Sequence, residues 1–257
     1  MADRRSGRGV QIELTDFRVS AAQYADGTYL EKVQDCHVGD SPWKASKVLQ
    51  MMEKNHLTCE SIYDIGCGAG QILVELQKEI NRDVALAGFD ISPQAIEIAR
   101  SKEDANLKFY NDDFLKAKVA SADLVLLLDV FEHVPDYLGF LDALRKKTKW
   151  VIFHIPLDMC ARTILSKSNY MLYMRKRYGH LHYFSKETAL ATLANLGYEV
   201  VDYFYTFDDE IRQNTLRGFE ARMIFQIRKN MFRFDPGLAA AIFPHFNLLV
   251  LARGDQD

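Results

Sequence analysis

The stretch IYDIGCGAG, residues 62–70, decides the fold of this 257-residue chain. An apolar run ends there in three glycines, Gly66, Gly68 and Gly70, and a helical pattern follows. Glycines at a strand-to-helix turn permit a tight bend and let a ligand approach the backbone closely. The spacing differs from the dinucleotide-binding pattern G-x-G-x-x-G, because Gln71 stands where the third glycine of that pattern belongs. We therefore expect a ligand-binding loop after the first strand.

An acidic residue, Asp64, stands at the mouth of this loop. Its charge would repel a diphosphate but would attract an ammonium group next to a sulfonium. Asp90 ends the next apolar run, about twenty residues beyond the glycines, where a ribose-binding carboxylate belongs in this topology. Asp113, in YNDDF, is placed to accept from the amino group of an adenine, with Phe114 beside the ring. S-adenosylmethionine has an ammonium, a ribose and an adenine, and it satisfies all three acids.

Apolar runs alternate with helical patterns from residue 61 to residue 153. The runs are short and do not alternate strictly with polar residues, which is typical of strands buried on both faces. Five strands are predicted, at SIYDI, VALAGFD, LKFY, ADLVLLLDV and KWVIFHI. Helices are predicted between them at residues 71–80, 93–101 and 136–147, the second with Ser92 as N-cap and Pro93 as first residue. This order predicts an α/β, doubly wound sheet with parallel pairing and right-handed crossovers.

The whole chain divides into four parts. Residues 1–57 are predicted to be a tail and helices, and residues 58–206 the α/β core. Within the core, a helix with Ser185 as N-cap precedes a sixth strand, YEVVDYFYT. Residues 207–245 are predicted to be a helical insertion that acts as a lid, although its arginines and aromatic residues would also suit a membrane surface. Residues 246–257 hold the last strand, FNLLVLARG, and a tail.

Composition and charge narrow the class of protein. The formal net charge is -3, which disfavours nucleic acid as the main partner because phosphate binding usually requires a basic excess. The four cysteines form no C-x-x-C pair, which argues against a zinc cluster and a disulfide framework. No apolar run approaches the roughly 20 residues that span a bilayer, and the N-terminus lacks the apolar region of a signal peptide. We expect a cytoplasmic protein with a small-molecule substrate and neither nucleic acid nor membrane as a partner, and we leave the oligomeric state open.

These motifs together resemble the class I S-adenosylmethionine-dependent methyltransferases. YDIGCGAG looks like the first motif of that family, GFDISPQAIEIAR like the second, NDDF like the third and ADLVLLLDVFEHVPD like the fourth. VIFHIP and GHLHYFSKETALATLANLGYEV are similar to the branch that contains the ubiquinone-biosynthesis-type small-molecule methyltransferases. The resemblance covers residues 62–206. It implies a Rossmann-like, seven-stranded, mostly parallel sheet with an antiparallel last strand.

The resemblance also implies a set of cofactor-binding residues. In chain order these are Asp64, Gly66, Cys67, Gly68, Asp90, Ile91, Asp113, Phe114, Asp129 and Val130. The first three acids would hold the ammonium, the ribose and the adenine amine. The last two residues would lie near the sulfonium at the edge of the sheet.

Two histidines at strand ends are candidate catalytic residues. His133, in FEHVP, follows the fourth strand and would act as a base where the acceptor must first lose a proton. It is equally well interpreted as a structural histidine that caps the loop before Pro135. His154 ends the fifth strand, where sites lie in this architecture. Trp43 and Lys47, on the predicted helix before the first strand, are expected to close over the donor.

A segment rich in tyrosine and methionine, SKSNYMLYMRKRYGHLHY, is suited to line an apolar acceptor pocket. His180 and His182 alternate in it, which in an extended segment places both on one face. The spacing would suit a metal pair, but no cysteine or carboxylate with ligand spacing joins them, so no metal is expected. The expected substrate contacts are Tyr170, His180, His182 and Tyr183.

The function that fits best is methyl transfer to an oxygen or nitrogen of a small, partly apolar metabolite. Two alternatives stay open, namely a methyltransferase that acts on a protein or RNA and a cofactor-binding regulator without catalysis. Methylation of nucleic-acid base amines is disfavoured, because residues 129–132 read DVFE instead of Asn/Asp-Pro-Pro-aromatic. Asp64 and Gln71 both argue against a nicotinamide oxidoreductase.

Overall fold

The computed structural model describes residues 38–165, 169–207 and 218–255, without the side chain of Val38. The tail and helices expected before residue 38 and the first part of the expected lid, residues 208–217, lie outside the described residues. The helices are α1 Ser41–Lys54, α2 Gln71–Glu79, α3 Pro93–Arg100, α4 Tyr137–Arg145, α5 Ala161–Leu165, α6 Tyr170–Tyr178, α7 Lys186–Asn195, α8 Phe219–Phe234 and α9 Pro236–Ile242. The strands are β1 Ser61–Ile65, β2 Ala85–Asp90, β3 Leu107–Asn111, β4 Ala122–Leu128, β5 Thr148–Pro156, β6 Glu199–Phe207 and β7 Phe246–Arg253.

The seven strands of the described residues form one sheet in the order β3-β2-β1-β4-β5-β7-β6. The first five strands pair in parallel, and β7 pairs antiparallel with both β5 and β6. The predicted doubly wound, mostly parallel sheet with an antiparallel last strand is therefore confirmed. The strand order reverses between β1 and β4, so the carboxyl ends of these strands border a crevice in which ligands bind in this class of sheet.

Both faces of the sheet are buried at its central strands, which explains why those strands are continuous apolar runs. Along β4, Val125 and Leu127 belong to one hydrophobic cluster, while Leu124, Leu126 and Leu128 belong to the other. Alternate residues of a strand point to opposite faces, so each cluster covers one face of the sheet. The second cluster includes Val48 and Met51 of α1 and Leu73 and Leu76 of α2.

The predicted helix starts at Ser92 and Ser185 are also confirmed. The Ser92 hydroxyl accepts from the Ala95 N–H, and Pro93 is the first residue of α3. Ser185 forms a capping box with Thr188 at the start of α7. Local sequence thus determines where these helices begin.

The turn between β1 and α2 needs its glycines. Gly66, Gly68 and Gly70 have φ values of 74°, 53° and 75°, a left-handed conformation that side chains disfavour. A Cβ atom at Gly70 would overlap the Phe109 ring. The turn therefore excludes side chains for two reasons, backbone conformation and space.

The Asp64 carboxyl group, near the end of β1, is buried in the interior. Asp64 is 1% exposed, and its Oδ2 atom has no hydrogen-bond partner among the described residues. Burial, with a smaller contribution from Asp90, raises the pKa of the Asp64 carboxyl to about 8, although Lys44 opposes the shift. Burial of an unpaired charge is costly, so the folded protein favours the protonated form of this group.

Replacement of Gly70 by alanine is expected to lower the free energy of unfolding by about 3 kcal/mol, from the left-handed backbone and the overlap with Phe109 together. Gly197→Ala is the matched control, because Gly197 has φ 85° and the atoms nearest to a Cβ atom there belong to the flexible end of the Arg145 side chain. That control isolates the backbone effect and should cost about 1 kcal/mol. Denaturant unfolding of both variants gives the comparison, and equal losses would contradict the packing account.

Asp64→Asn should become more stable relative to the wild type as the pH rises from about 4 to about 8. The raised pKa means that the folded state holds a proton that the unfolded state has lost in this window. The wild type therefore loses stability as the pH rises, whereas asparagine does not titrate. Unfolding free energies at pH 5 and pH 8 should show a relative gain of at least about 1 kcal/mol. The exposed Asp83, replaced in the same way, is the control, and a pH-independent difference at Asp64 would refute the prediction.

Candidate active site

A cavity of about 550 Å³ lies at the carboxyl ends of β1, β2 and β4. Its walls also include residues of α1, α6 and the start of β7. We call one set of lining residues the loop wall, namely Gly66, Cys67, Gly68, Asp90 and Ile91. We call another set the histidine wall, namely Glu132, His133, Asp158, Tyr170 and His180.

The loop wall is held together by backbone hydrogen bonds. The Gly68 N–H donates to Asp90 Oδ2 at 2.9 Å, and the Ser92 N–H donates to Asp90 Oδ1 at 2.8 Å. Burial raises the pKa of the Asp90 carboxyl, although the backbone donors of Ser92 and Gly68 oppose this shift. Ile91, at 45% exposed, presents an apolar side chain beside this carboxylate. The wall therefore combines an acid, an apolar surface and a backbone turn without side chains.

Asp64 does not line the cavity but lies in the interior behind the loop wall. The sequence-predicted adenine residues, Asp113 and Phe114, do line it. Asp113 accepts from the Leu115 N–H at 3.0 Å and pairs with Lys116 at 2.8 Å. Phe114 is 2% exposed and packs against Phe89, with ring centroids 5.2 Å apart. The Asp113 carboxylate therefore already bonds to neighbouring residues of its own loop. Phe114 exposes little of its ring to the cavity.

Asp129, which follows β4 directly, lies between a lysine and a histidine. Its carboxylate oxygens are 2.8 Å from Lys44 Nζ and 2.6 Å from His154 Nδ1. Its φ is 57°, a strained value for a residue with a side chain, and such strain is concentrated at functional sites. Although burial acts in the opposite direction, His154 and Lys44 hold the pKa of the Asp129 carboxyl well below its usual range. The carboxylate is thus ionised and fixed in place at the cavity wall.

His154 supports Asp129 from behind and does not line the cavity. It is 2% exposed, and its Nε2 atom is 2.9 Å from the Thr206 hydroxyl on β6. Both ring nitrogens are thus bonded within the fold, and the Trp43 ring packs edge-on at 5.9 Å. The catalytic contact expected of His154 does not fit this placement, which gives the residue a positioning role.

The histidine wall brings together residues from three segments. Asp158 Oδ2 lies 2.7 Å from His180 Nδ1, and the Tyr170 hydroxyl donates to Asp158 Oδ1 at 3.4 Å. The rings of His133 and His180 contact edge to face, with centroids 5.0 Å apart. Glu132 Oε1 is 3.7 Å from His133 Nε2. Of the residues expected to touch the acceptor, His133, Tyr170 and His180 are therefore in one cluster.

Glu132 is completely buried, and none of the described residues donates a hydrogen bond to its carboxylate. Burial, together with the charges of Asp129 and Asp158, raises the pKa of the Glu132 carboxyl well above its usual range. Its backbone carbonyl accepts from the N–H groups of Leu181 and His182 at 2.8 and 3.1 Å. The main chain of Glu132 thus joins the turn after β4 to the segment after α6.

His182 and Tyr183 do not line the cavity, so the substrate contacts expected of them do not fit the structure. His182 Nε2 donates to the Val134 carbonyl at 3.0 Å, and its ring packs on Tyr137 at 4.4 Å. The Tyr183 hydroxyl donates to the Met171 carbonyl. The segment after α6 is not a strand, so the alternation of the two histidines does not place both toward one ligand.

Several lining residues were not predicted from the sequence. Lys44 on α1 takes the place that Trp43 and Lys47 were expected to have, and Asp40 and Ser41 lie beside it on the cavity wall. The spacing of positions 40, 41 and 44 on a helix start would have indicated a shared face. Asp158 had no such signal, because its partner His180 is distant in sequence.

The described part of the insertion reaches the cavity only at His245. Helix α8 instead packs on the sheet, where Phe225 stacks on Phe207 and the Arg228 side chain donates to the Pro244 carbonyl. Among the helices of the described residues, none is both long and apolar enough to cross a lipid bilayer.

Acidic side chains dominate the charge of the cavity. Among its described lining residues, one lysine and no arginine face seven carboxylates, which are Asp40, Asp90, Asp112, Asp113, Asp129, Glu132 and Asp158. A cleft with charges of one sign concentrates ligands of the opposite sign. The cavity is therefore suited to cationic ligands.

Known proteins share parts of this sequence. The ubiquinone biosynthesis O-methyltransferase of Paraburkholderia xenovorans is 34% identical over 107 residues, which are 38% of this chain and 45% of that protein. The carboxy-S-adenosyl-L-methionine synthase of Helicobacter pylori is 35% identical over 75 residues, 28% of this chain and 31% of that protein. The chain thus matches less than half the length of these curated relatives.

Solved structures share the fold at low sequence identity. A plantazolicin methyltransferase in complex with a desmethyl substrate analogue and SAH has a TM-score of 0.58 and 16% identity, covering 94% of this chain and 96% of that chain. The magnesium protoporphyrin IX methyltransferase of Synechocystis with bound SAH has a TM-score of 0.56 and 14% identity, covering 92% and 89%.

The match to a family model covers most of the described core. The model is described as a methyltransferase domain, and it matches residues 42–203. These residues include α1 except its first residue, the loop wall and the histidine wall. The resemblance inferred from the sequence is thus confirmed, and the chain belongs to the methyltransferase-domain family.

Proposed function

We propose that the protein is an S-adenosylmethionine-dependent methyltransferase that acts on an oxygen or nitrogen of a small, partly apolar molecule. One observation carries the proposal: a single cavity joins the loop wall to the histidine wall. The first wall suits a methyl donor, and the second carries the groups that act on an acceptor. A volume of about 550 Å³ lies within the range of small-molecule sites.

The charge of the cavity supports this donor. S-adenosylmethionine carries a sulfonium and an ammonium, and the carboxylates of the lining attract both. A nicotinamide dinucleotide carries a diphosphate, which the same carboxylates repel. Solved relatives of the same fold bind SAH or SAM, which is consistent with such a donor.

The loop wall fits the parts of this donor. Gly66 and Gly68 line the cavity without side chains, so the methionine part can approach the backbone of the turn closely. Asp90 ends β2 with a carboxylate that can accept from both ribose hydroxyls. The adenine would then lie against Ile91, Asp112 and Asp113, which also line the cavity. A cationic ammonium bound at this loop would favour ionisation of Asp64, which lies behind it and is otherwise protonated.

Methyl transfer is an in-line displacement at carbon, so alignment and exclusion of water supply much of the catalysis. The donor is already electrophilic. The protein must hold the acceptor atom opposite the sulfur and remove its proton where it has one. His133 and His180, both on the cavity wall, are the groups that act on that atom.

Transfer of a carboxylated group is a second candidate, because one relative is named a carboxy-S-adenosyl-L-methionine synthase. Such a donor or product carries an additional anionic group. The described lining offers one lysine, and Lys44 pairs with Asp129. The excess of carboxylates thus favours the unmodified donor.

Calorimetry with S-adenosylhomocysteine tests the donor site without a known acceptor. The wild type should bind this product and should not bind NADH. Asp90→Asn should weaken binding at least about tenfold, because the charge-assisted hydrogen bonds to the ribose are lost. Asp113→Asn should have a smaller effect, because Asp113 is already bonded to Leu115 and Lys116. Absence of product binding, or equal affinities of wild type and Asp90→Asn, would refute the donor assignment.

His133→Gln tests the acceptor site. With an acceptor found by screening phenols, alcohols and amines for S-adenosylhomocysteine formation, kcat should fall about 100-fold or more. The affinity for S-adenosylhomocysteine should stay unchanged, because His133 is not part of the loop wall. His56→Asn, at an exposed site with φ 51° that asparagine tolerates, is the matched control. A normal kcat in His133→Gln would place the chemistry elsewhere.

A further inference from the structure

Three residues of the histidine wall bring metal-binding atoms together. One carboxylate oxygen of Glu132 and one ring nitrogen each of His133 and His180 lie within 4.8 Å of one another. We propose that these three residues bind a divalent transition-metal cation, such as Zn²⁺, and that the acceptor oxygen is the next ligand of this cation. The inference rests on the proposed function for the identity of that last ligand.

The environment of Glu132 is the first argument. Its side chain is 0% exposed, and neither carboxylate oxygen accepts a hydrogen bond from the described residues. An unsatisfied buried carboxylate is costly, and native proteins retain one where it is paired or bound to a metal. Glu132 also belongs to the cavity lining, so its carboxylate lies beside the proposed site.

The contact between Asp158 and His180 is the second argument. Asp158 Oδ2 is 2.7 Å from His180 Nδ1, so the Nδ1–H donates to the carboxylate and Nε2 keeps its lone pair. Metal-binding histidines usually donate their second ring N–H to a carboxylate or carbonyl, which fixes the tautomer and the ring orientation. Asp158 is itself 4% exposed, so this support is rigid. His180 is thus prepared as an Nε2 ligand.

The main chain holds the ligands in place. Glu132 and His133 belong to a short 3₁₀ turn, and the N–H groups of Leu181 and His182 donate to the Glu132 carbonyl. The two segments that carry the ligands are therefore bonded to each other beside the site. The ligand atoms, within 4.8 Å of one another, lie near the spacing of about 3.5 Å that metal–ligand distances of about 2 Å require.

The donor set selects the type of cation. Two imidazoles and one carboxylate suit Zn²⁺ and its transition-metal neighbours, whereas Mg²⁺ and Ca²⁺ prefer oxygen ligands. Three protein ligands leave a fourth position open, as in catalytic zinc sites. All three residues line the cavity, so the open position faces the acceptor.

This arrangement favours an acceptor with a hydroxyl group. When the hydroxyl oxygen binds the cation, its proton is released to solvent, because a metal lowers the pKa of a bound oxygen. The oxygen then forms a bond to the methyl carbon while the bond from that carbon to sulfur breaks. The electron pair of the broken bond stays on sulfur and gives a neutral thioether. His133 is then a ligand of the cation, and the cation activates the acceptor in place of a free imidazole.

Titration of Zn²⁺ into the full-length chain, after removal of metal with a chelator, tests the proposal. The wild type should bind one Zn²⁺ per chain, and Co²⁺ in its place should give a visible absorption spectrum typical of histidine and carboxylate ligands. Glu132→Gln and His180→Gln should weaken Zn²⁺ binding at least about tenfold, and Asp158→Asn about 10- to 100-fold. His56→Asn removes an exposed histidine and should bind Zn²⁺ like the wild type.

The affinity for S-adenosylhomocysteine, measured for every variant, separates this proposal from the proposed function. The metal site is refuted, and the donor site stands, if the wild type binds S-adenosylhomocysteine but not Zn²⁺. The same conclusion follows if Glu132→Gln and His180→Gln bind Zn²⁺ with the affinity of the wild type. If the wild type binds neither S-adenosylhomocysteine nor Zn²⁺, the proposed function fails as well. Thermal melting identifies variants that do not fold. If the variants do not fold, the Co²⁺ spectrum of the wild type tests the metal site instead. A spectrum without the features of histidine and carboxylate ligands would contradict the site.

Discussion

The hydrogen bond from the Gly68 N–H to the Asp90 carboxylate is the interaction on which the site depends. It fixes the left-handed turn after β1 against the end of β2. The N–H groups of Gly66 and Cys67 strengthen the same junction, because both donate to the Phe89 carbonyl. A Cβ atom at Gly66 would lie 2.7 Å from Val130 Cγ2, so the turn also packs closely against the residues after β4. Three strand ends are thus joined at one point, and the cavity opens there.

This junction concentrates negative charge, which the fold must accommodate. Burial raises the pKa values of Asp64, Asp90 and Glu132, so each of these groups costs free energy when it is ionised. A cationic ligand reduces that cost by supplying the opposite charge. Binding and folding stability are then coupled, because a ligand that binds only the folded state stabilises it. The acids that serve a cationic donor therefore make the protein without its ligand less stable.

Local signals in the sequence were sufficient for the fold but only for part of the site. The strands were predictable because they are apolar runs bounded by helix caps such as Ser92 and Ser185, and the structure has them within two residues of the predicted ends. Asp90 was predictable because its role follows from its position at a strand end. The role of His154 in positioning Asp129 was not predictable, because its second hydrogen-bond partner, Thr206, lies on a strand distant in sequence. The contact of Asp158 with His180 was not predictable for the same reason. Periodicity in a sequence indicates which face of an element a residue occupies, but not which distant residue it contacts.

Lys44 shows how the site distributes its positive charge. It reaches from α1 to Asp129, which already has His154 on its other side, so two basic groups meet one carboxylate. The left-handed backbone of Asp129 places the carboxylate where both can contact it. Lys44 is the only lysine or arginine among the described lining residues, and it pairs with Asp129, so those residues provide no further lysine or arginine for Glu132 and Asp158 on the histidine wall. The charge balance thus leaves the histidine wall with an excess of negative charge, and a bound cation at Glu132, His133 and His180 would neutralise it where the acceptor must react.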